Sequence, residues 1–216
     1  MSFVLPFLVV IANVLGAGMI VPQVQQLHRH RSVAGVSNVW VGVGVAMNLW
    51  WLAYALTQSL WGMIPVSAAG AVLYGIIAVQ FIRIAGRRSL GGFALGFFVL
   101  GMAPLPVLLV GGWIAAGVAI GFSYAVQFAP AAITAVRSTN LDGISATTWA
   151  MALFEAVVWF VYGVAISDAA LVIGGAGGTV MSTVILVQVW RYDRPDASTR
   201  LDSAWRQLDV VAESLR

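Results

Sequence analysis

Sliding the chain against itself by 108 residues, the distance from Pro22 to Pro130, brings its least common residues into register without a gap. Arg29 falls on Arg137, Gly35 on Gly143 and Ser37 on Ser145; Trp51 falls on Trp159, Tyr54 on Tyr162, Gly70 on Gly178, Gln80 on Gln188 and Arg83 on Arg191. The chain is 61% hydrophobic, so coincident valines or alanines would carry little information. Coincident Pro, Trp, Tyr, Gln and Arg at one offset carry much more. Such a repeat calls for two units of like fold that bury their faces on each other.

The medium for that burial follows from the apolar blocks, which run over residues 3–27, 38–58, 62–82, 92–110, 114–136, 144–166 and 169–190. Each is near the roughly 20 residues that cross a bilayer as a helix. Only 9% of residues are charged, against about 25% in a soluble domain. The opening Met1–Pro6 stretch has no basic residue, so it reads as the start of a span and not as a cleaved signal.

Charge orders the blocks. All 11 basic residues are arginine: Arg29 and Arg31, then Arg83, Arg87 and Arg88, then Arg137, then Arg191, Arg194, Arg200, Arg206 and Arg216. These fall in the odd-numbered loops and the tail, whereas the even-numbered loops carry only Asp168. Seven crossings put all the arginine on one side, and the positive-inside rule makes that side cytoplasmic, with the N-terminus outside and the C-terminus cytoplasmic in an inner or plasma membrane. The net charge of +3 therefore needs no nucleic-acid partner. The absence of cysteine excludes disulfides and thiolate metal sites, and the absence of lysine excludes a Schiff base. No cofactor, metal site or catalytic constellation is expected.

The expected fold is all-α: seven transmembrane helices in two parallel three-helix-bundle repeats joined by a linker helix, a 3+1+3 plan. The first repeat covers residues 1–86, the linker 87–112 and the second repeat 113–191. A cytoplasmic tail, 192–216, has Leu201, Trp205, Leu208, Ala212 and Leu215 at helical spacing, as an amphipathic surface helix would. Three crossings leave a chain on the opposite side from its start, and one further crossing restores the orientation. Parallel repeats of this kind leave an interface along the membrane normal, where carriers hold solute. Homo-oligomerisation stays open.

Candidate residues follow from that interface. Pro22 removes a hydrogen bond to the carbonyl of Gly18, and Pro130 one to Val126, so Pro22-Gln23 and Pro130 are candidate hinges. Trp51 and Trp159 belong either to an interfacial aromatic belt or to a facing pair that stacks on a solute. Glu155 is the one acid deep in a block, where it costs roughly 2.5–3.5 kcal/mol, and it lies four residues before Trp159 on the same helix face. Its repeat mate is Met47, beside Asn48. The Gly174–Gly178 run has no strand before it and no Lys-Ser/Thr after it, so it is a close-packing or ligand-clearing stretch and not a phosphate loop.

Pro22-Gln23 followed by 31–37, then Trp159-Phe160-Val161-Tyr162-Gly163, Asp168, Ile173–Ala176 and Gln188, together resemble the PQ-loop and SWEET superfamily of small transporters over residues 3–190. The resemblance implies the same 3+1+3 plan, a sugar between the repeats, contact from an aromatic or small residue of the second and sixth helices, and asparagine contacts from the third and seventh. It puts Trp51 and Trp159 in the pocket, and puts Ser67 and Gly175 where the family has asparagine. Three functions stay open: a carrier of a small polar solute, foremost a sugar, with hydrogen bonds from Glu155, Asn48 and Ser67; a proton-coupled carrier of an amino acid or metabolite using Glu155; and a non-transporting receptor, as the KDEL receptor is on this fold.

Overall fold

A computed structural model of the chain describes residues 4–33, 36–137, 141, 144 and 146–192. The expected tail helix, Gly35, Gly143 and Ser145 lie outside the described residues. Among the described residues every regular element is helical: α1 Val4–His30, α2 Asn38–Thr57, α3 Ile64–Ala85, the short α4 Leu90–Ala94, α5 Pro104–Arg137, α6 Ala146–Ile166 and α7 Ala169–Tyr192. Short 3-10 turns at Trp61–Met63 and Arg87–Ser89 precede α3 and α4. In lipid each backbone N–H and C=O must find a partner within the protein, which a helix provides along its own length.

Six helical stretches among the described residues are long and apolar enough to cross a membrane. The outward faces are apolar as well: Leu109, Val110 and Ile114 are 77%, 93% and 80% exposed. Water would penalise such a surface, and acyl chains do not.

One stretch, Arg87–Arg137, runs for 51 residues, over twice the length that crosses a bilayer. It is interrupted twice. After α4 the chain widens into a π-helix over Leu95–Leu100, ended by a Gly101 N–H bond to Gly96 O at 2.7 Å. Residue 104 is proline, which cannot donate to the carbonyl of Leu100, so the helix stops and α5 restarts there. The fourth apolar block, expected as one helix over 92–110, is therefore broken at 101–103. Contact with α2 shapes this segment: a methyl group at Gly96 would run into Val39 O, and one at Gly42 into Phe93 O. Trp50 Nε1 also donates to Gly101 O at 3.0 Å. The second interruption is Gly112, with φ 67° and ψ −168° inside α5, at the expected Gly111–Trp113 turn.

Helix packing keeps the same pattern when the two ends of the chain are exchanged. α1 packs on α3 as α5 packs on α7; α2 packs on α3 as α6 packs on α7; and α1 meets α6 as α5 meets α2. Helix ends repeat too. Ser59 and Ser167, one repeat apart, are both left-handed, with φ of 57° and 59°. Each is followed by a bond back across the helix end, Leu60 N–H to Ala55 O at 2.8 Å and Asp168 N–H to Gly163 O at 2.9 Å. That bond marks a Schellman-type helix end.

Asn13, inside α1, organises the start of α3. Its Oδ1 accepts from the Val66 N–H at 2.8 Å, and its Nδ2 donates to Gly62 O at 2.8 Å and to Val9 O at 2.7 Å. Asp168 serves α7 similarly, its Oδ1 accepting from the Leu171 N–H at 2.9 Å.

Candidate functional site

A cavity of about 440 Å³ lies among α1, α2, α3, α5, α6 and α7. Small-molecule sites commonly span about 300–1,000 Å³. The described lining numbers 24 residues, and none comes from the segment between α3 and α5. Twenty of them form pairs one repeat apart: Gly16 with Tyr124, Met19 with Gln127, Ile20 with Phe128, Gln23 with Ala131, Trp40 with Thr148, Asn48 with Ala156, Trp51 with Trp159, Met63 with Leu171, Val66 with Gly174 and Ser67 with Gly175. The four without a lining mate are Tyr74, Trp149, Ala152 and Glu155.

All six residues picked out for solute contact (Trp51, Trp159, Glu155, Asn48, Ser67 and Gly175) line this one cavity. Trp51 and Trp159 are 8% and 6% exposed, which removes them from a lipid-facing belt. Each ring is braced edge-on by the tyrosine three residues later. Trp51 and Tyr54 have centroids 6.2 Å apart at 82°, and Trp159 and Tyr162 are 6.0 Å apart at 77°. The bracing holds both indoles on the cavity wall.

Glu155 is 4% exposed. Its Oε1 accepts from Trp159 Nε1 at 3.2 Å, and the Tyr124 hydroxyl also hydrogen-bonds its carboxyl group. Oε2 has no hydrogen-bond partner. Gly16 of α1 makes room for the carboxylate, because a methyl group there would collide with Glu155 Oε1.

The remaining predicted contacts carry packing duties as well. Asn48 turns Nδ2 back to Gly44 O at 2.8 Å, while its Oδ1 fills the space that a methyl at Gly70 would need. Its amide donors are thus partly committed. Gly175 lets α7 approach α6, since a methyl there would meet the Phe160 backbone. Gly174 faces the Trp51 ring, at 3.2 Å from where a methyl would sit. Ser67 is 3% exposed on the α3 wall. Of the hinge candidates, Pro22 lies within a continuous α1 and Gln23 lines the cavity. The backbone is helical through Pro130.

Sequence reasoning missed the aromatic wall. Trp40 packs on Tyr74 at 5.1 Å, and Tyr124, Phe128 and Trp149 form a chain with steps of 4.9 and 5.2 Å. Nothing in an isolated aromatic residue of an apolar chain separates a cavity wall from a lipid face. The repeat offset was the available signal, because Tyr124 and Phe128 are the mates of Gly16 and Ile20.

The cavity runs along the helices. It reaches Trp40 and Thr148, each two residues inside the arginine-side end of its helix. Toward the other end it reaches Met63, just before α3, and Leu171, two residues into α7, which pack with Trp51 and Trp159. One turn past Trp51 the Tyr54 hydroxyl donates to Asp168 Oδ2 at 2.8 Å, tying α2 to the α6–α7 turn. Among the described residues no group of three or more His, Asp or Glu gathers as a metal site would.

Long apolar helices around a buried, partly polar cavity define a multi-pass membrane protein. No family model matches the chain. Among curated proteins it is similar to the bidirectional sugar transporter SWEET13 of Oryza sativa subsp. japonica, at 26% identity over 165 residues. The match covers 68% of this chain and 54% of that protein, so the chain spans about half the length of the relative it matches.

Proposed function

We propose that the chain is a carrier that moves a small polar solute, foremost a sugar, through the membrane by alternating access. The observation that carries this reading is the cavity whose walls are paired one repeat apart, with indoles at equivalent positions on both sides. The distant sugar-transporter relative points the same way. In this reading residues 1–86 and 113–191 are two parallel units, 87–112 is the linker, and the chain crosses seven times. The length of Arg87–Arg137 and its break at Gly112 support the seventh crossing. The arginine side is cytoplasmic, leaving the N-terminus outside and the C-terminus inside. Pro22 and Pro130 are the places where the two units flex.

In this reading the cavity opens toward the arginine side, and the Tyr54–Asp168 bond holds the other end shut. The opposite state requires Tyr54 and Asp168 to part. The indoles hold the solute where their rings border the cavity, with Glu155, Ser67 and the free part of Asn48 offering hydrogen bonds.

Counterflow in proteoliposomes tests the reading. Labelled monosaccharide enters vesicles preloaded with unlabelled sugar and does not enter vesicles lacking the protein. Failure of exchange across a panel of monosaccharides and disaccharides overturns the sugar reading. A second reading, proton-coupled transport, is favoured by the buried Glu155 with its unpartnered oxygen. It requires uptake driven by a pH gradient and loss of that drive in Glu155→Gln.

A further inference from the structure

The cavity wall is symmetric in shape and asymmetric in charge. Its described lining holds one carboxyl, Glu155, and no arginine, histidine or second acid. The position one repeat earlier is Met47, 3% exposed and outside the lining. Around Glu155 stand Trp159 on its own helix, Tyr124 from α5, Tyr74 from α3 and Gly16 from α1. Trp159 and Tyr124 are both hydrogen-bonded to the carboxyl group, and Oε2 is left without a partner.

This arrangement selects by charge. A carboxylate in a water-poor site is costly until a cation or a full set of donors meets it. Flat aromatic faces next to it are themselves attractive to cations. No positive side chain is among the described lining to receive a solute's carboxylate, so an amino acid would leave its own acid unpaired. A neutral sugar satisfies the indoles and leaves the acid with hydroxyls alone. A ring with hydroxyls, an apolar face and one ammonium matches every element present.

We propose that the preferred cargo is a cationic monosaccharide, a protonated amino sugar, whose ring stacks on Trp51 or Trp159 and whose ammonium meets the free oxygen of Glu155. The proposal rests on the carrier reading and names the substrate class of that same site.

The test uses the full chain in proteoliposomes near neutral pH, with D-glucosamine, D-glucose and N-acetyl-D-glucosamine as probes. All share one ring; only glucosamine carries a charge. Wild-type protein takes up glucosamine in preference to both others by roughly 10- to 100-fold, the scale of one charge-assisted hydrogen bond. In Glu155→Gln the preference for glucosamine over N-acetylglucosamine falls to about one. The wild-type ranking stands as a test even where that variant folds poorly. Equal uptake of all three sugars, with the ranking unchanged in Glu155→Gln, overturns the charge assignment and leaves the carrier reading intact. Glucose uptake that follows an imposed pH gradient, lost in Glu155→Gln, makes Glu155 a proton site and overturns the proposal. Exchange of none of the three overturns this proposal, and the sugar reading falls with it only where the wider panel of monosaccharides and disaccharides is refused as well.

Discussion

Tyr54 and Asp168 are 114 residues apart in the chain and joined by a hydrogen bond of 2.8 Å. The bond sits between the tip of α2 and the turn before α7, one turn past Trp51. Removing it loosens that end alone. Tyr54→Phe keeps the ring that braces Trp51 and deletes only the hydroxyl. A part-buried hydrogen bond contributes about 1 kcal/mol, so in the carrier reading that end opens roughly five times more often. The measurement is the labelling rate of a cysteine introduced at Met63 by a reagent added on the Asp168 side. An unchanged rate means that the bond does not hold the cavity shut.

Gly175→Ala and Gly75→Ala form a matched pair. A methyl at Gly175 meets the Phe160 backbone of α6, whereas nothing lies within 4 Å of a methyl at Gly75. Overpacking costs about 1–3 kcal/mol, and alanine in an open helical position gains roughly 0.5–1 kcal/mol over glycine. Thermal unfolding in detergent is expected to drop for Gly175→Ala and to hold or rise for Gly75→Ala. Equal melting temperatures contradict the α6–α7 contact described.

Gly16→Ala alters the site without altering its charge. The new methyl takes space that the Glu155 carboxylate occupies. The carboxylate has to move away from Trp159 and Tyr124. If Glu155 contacts the solute, the apparent KM rises about tenfold or more, the scale of one lost hydrogen bond to a charged group. Folded yield, followed by size-exclusion chromatography, falls less than for Gly175→Ala, because a side chain yields where a backbone does not. A KM equal to wild type removes Glu155 from the contact set.

Gly112→Ala strains a backbone position at φ 67° and ψ −168°, a region used almost only by glycine. The cost is about 1–3 kcal/mol. Since no neighbour lies within 4 Å of the added methyl, the loss is conformational and not steric crowding. The expected readout is a lower melting temperature with an unchanged solute preference. A melting temperature equal to wild type shows that the chain does not need this turn.

The helical character and the candidate cavity residues were largely legible because both follow from period and offset. Apolar length marks membrane-capable helices. The 108-residue offset picks Trp51 and Trp159 out of nine tryptophans, and the lone acid marks Glu155. Other features depend on distance across the fold. The π-helix at Leu95–Leu100 lies where α2 comes backbone to backbone at Gly42 and Gly96, a contact the apolar block alone does not reveal. Asn13 reads as an ordinary polar residue in a span, yet it caps a helix about fifty positions later. Asn48 looks like a free amide until Gly44 is seen to take one of its protons. In each case the deciding partner is remote or hidden, and local pattern says nothing of it.

The left-handed serines at 59 and 167 bear on ancestry. An uncommon torsion, with the same bond behind it, has little reason to recur at one spacing unless the surrounding segment was copied whole. The pair therefore reads as an heirloom of gene duplication, in which one short gene became two joined copies. Two identical chains around a shared axis can only present acids in twos, and like charges facing each other across a small chamber repel. Within one chain the two copies are free to differ, as glutamate at 155 and methionine at 47 do. The lone acid is a novelty that a dimer of twins could not have evolved.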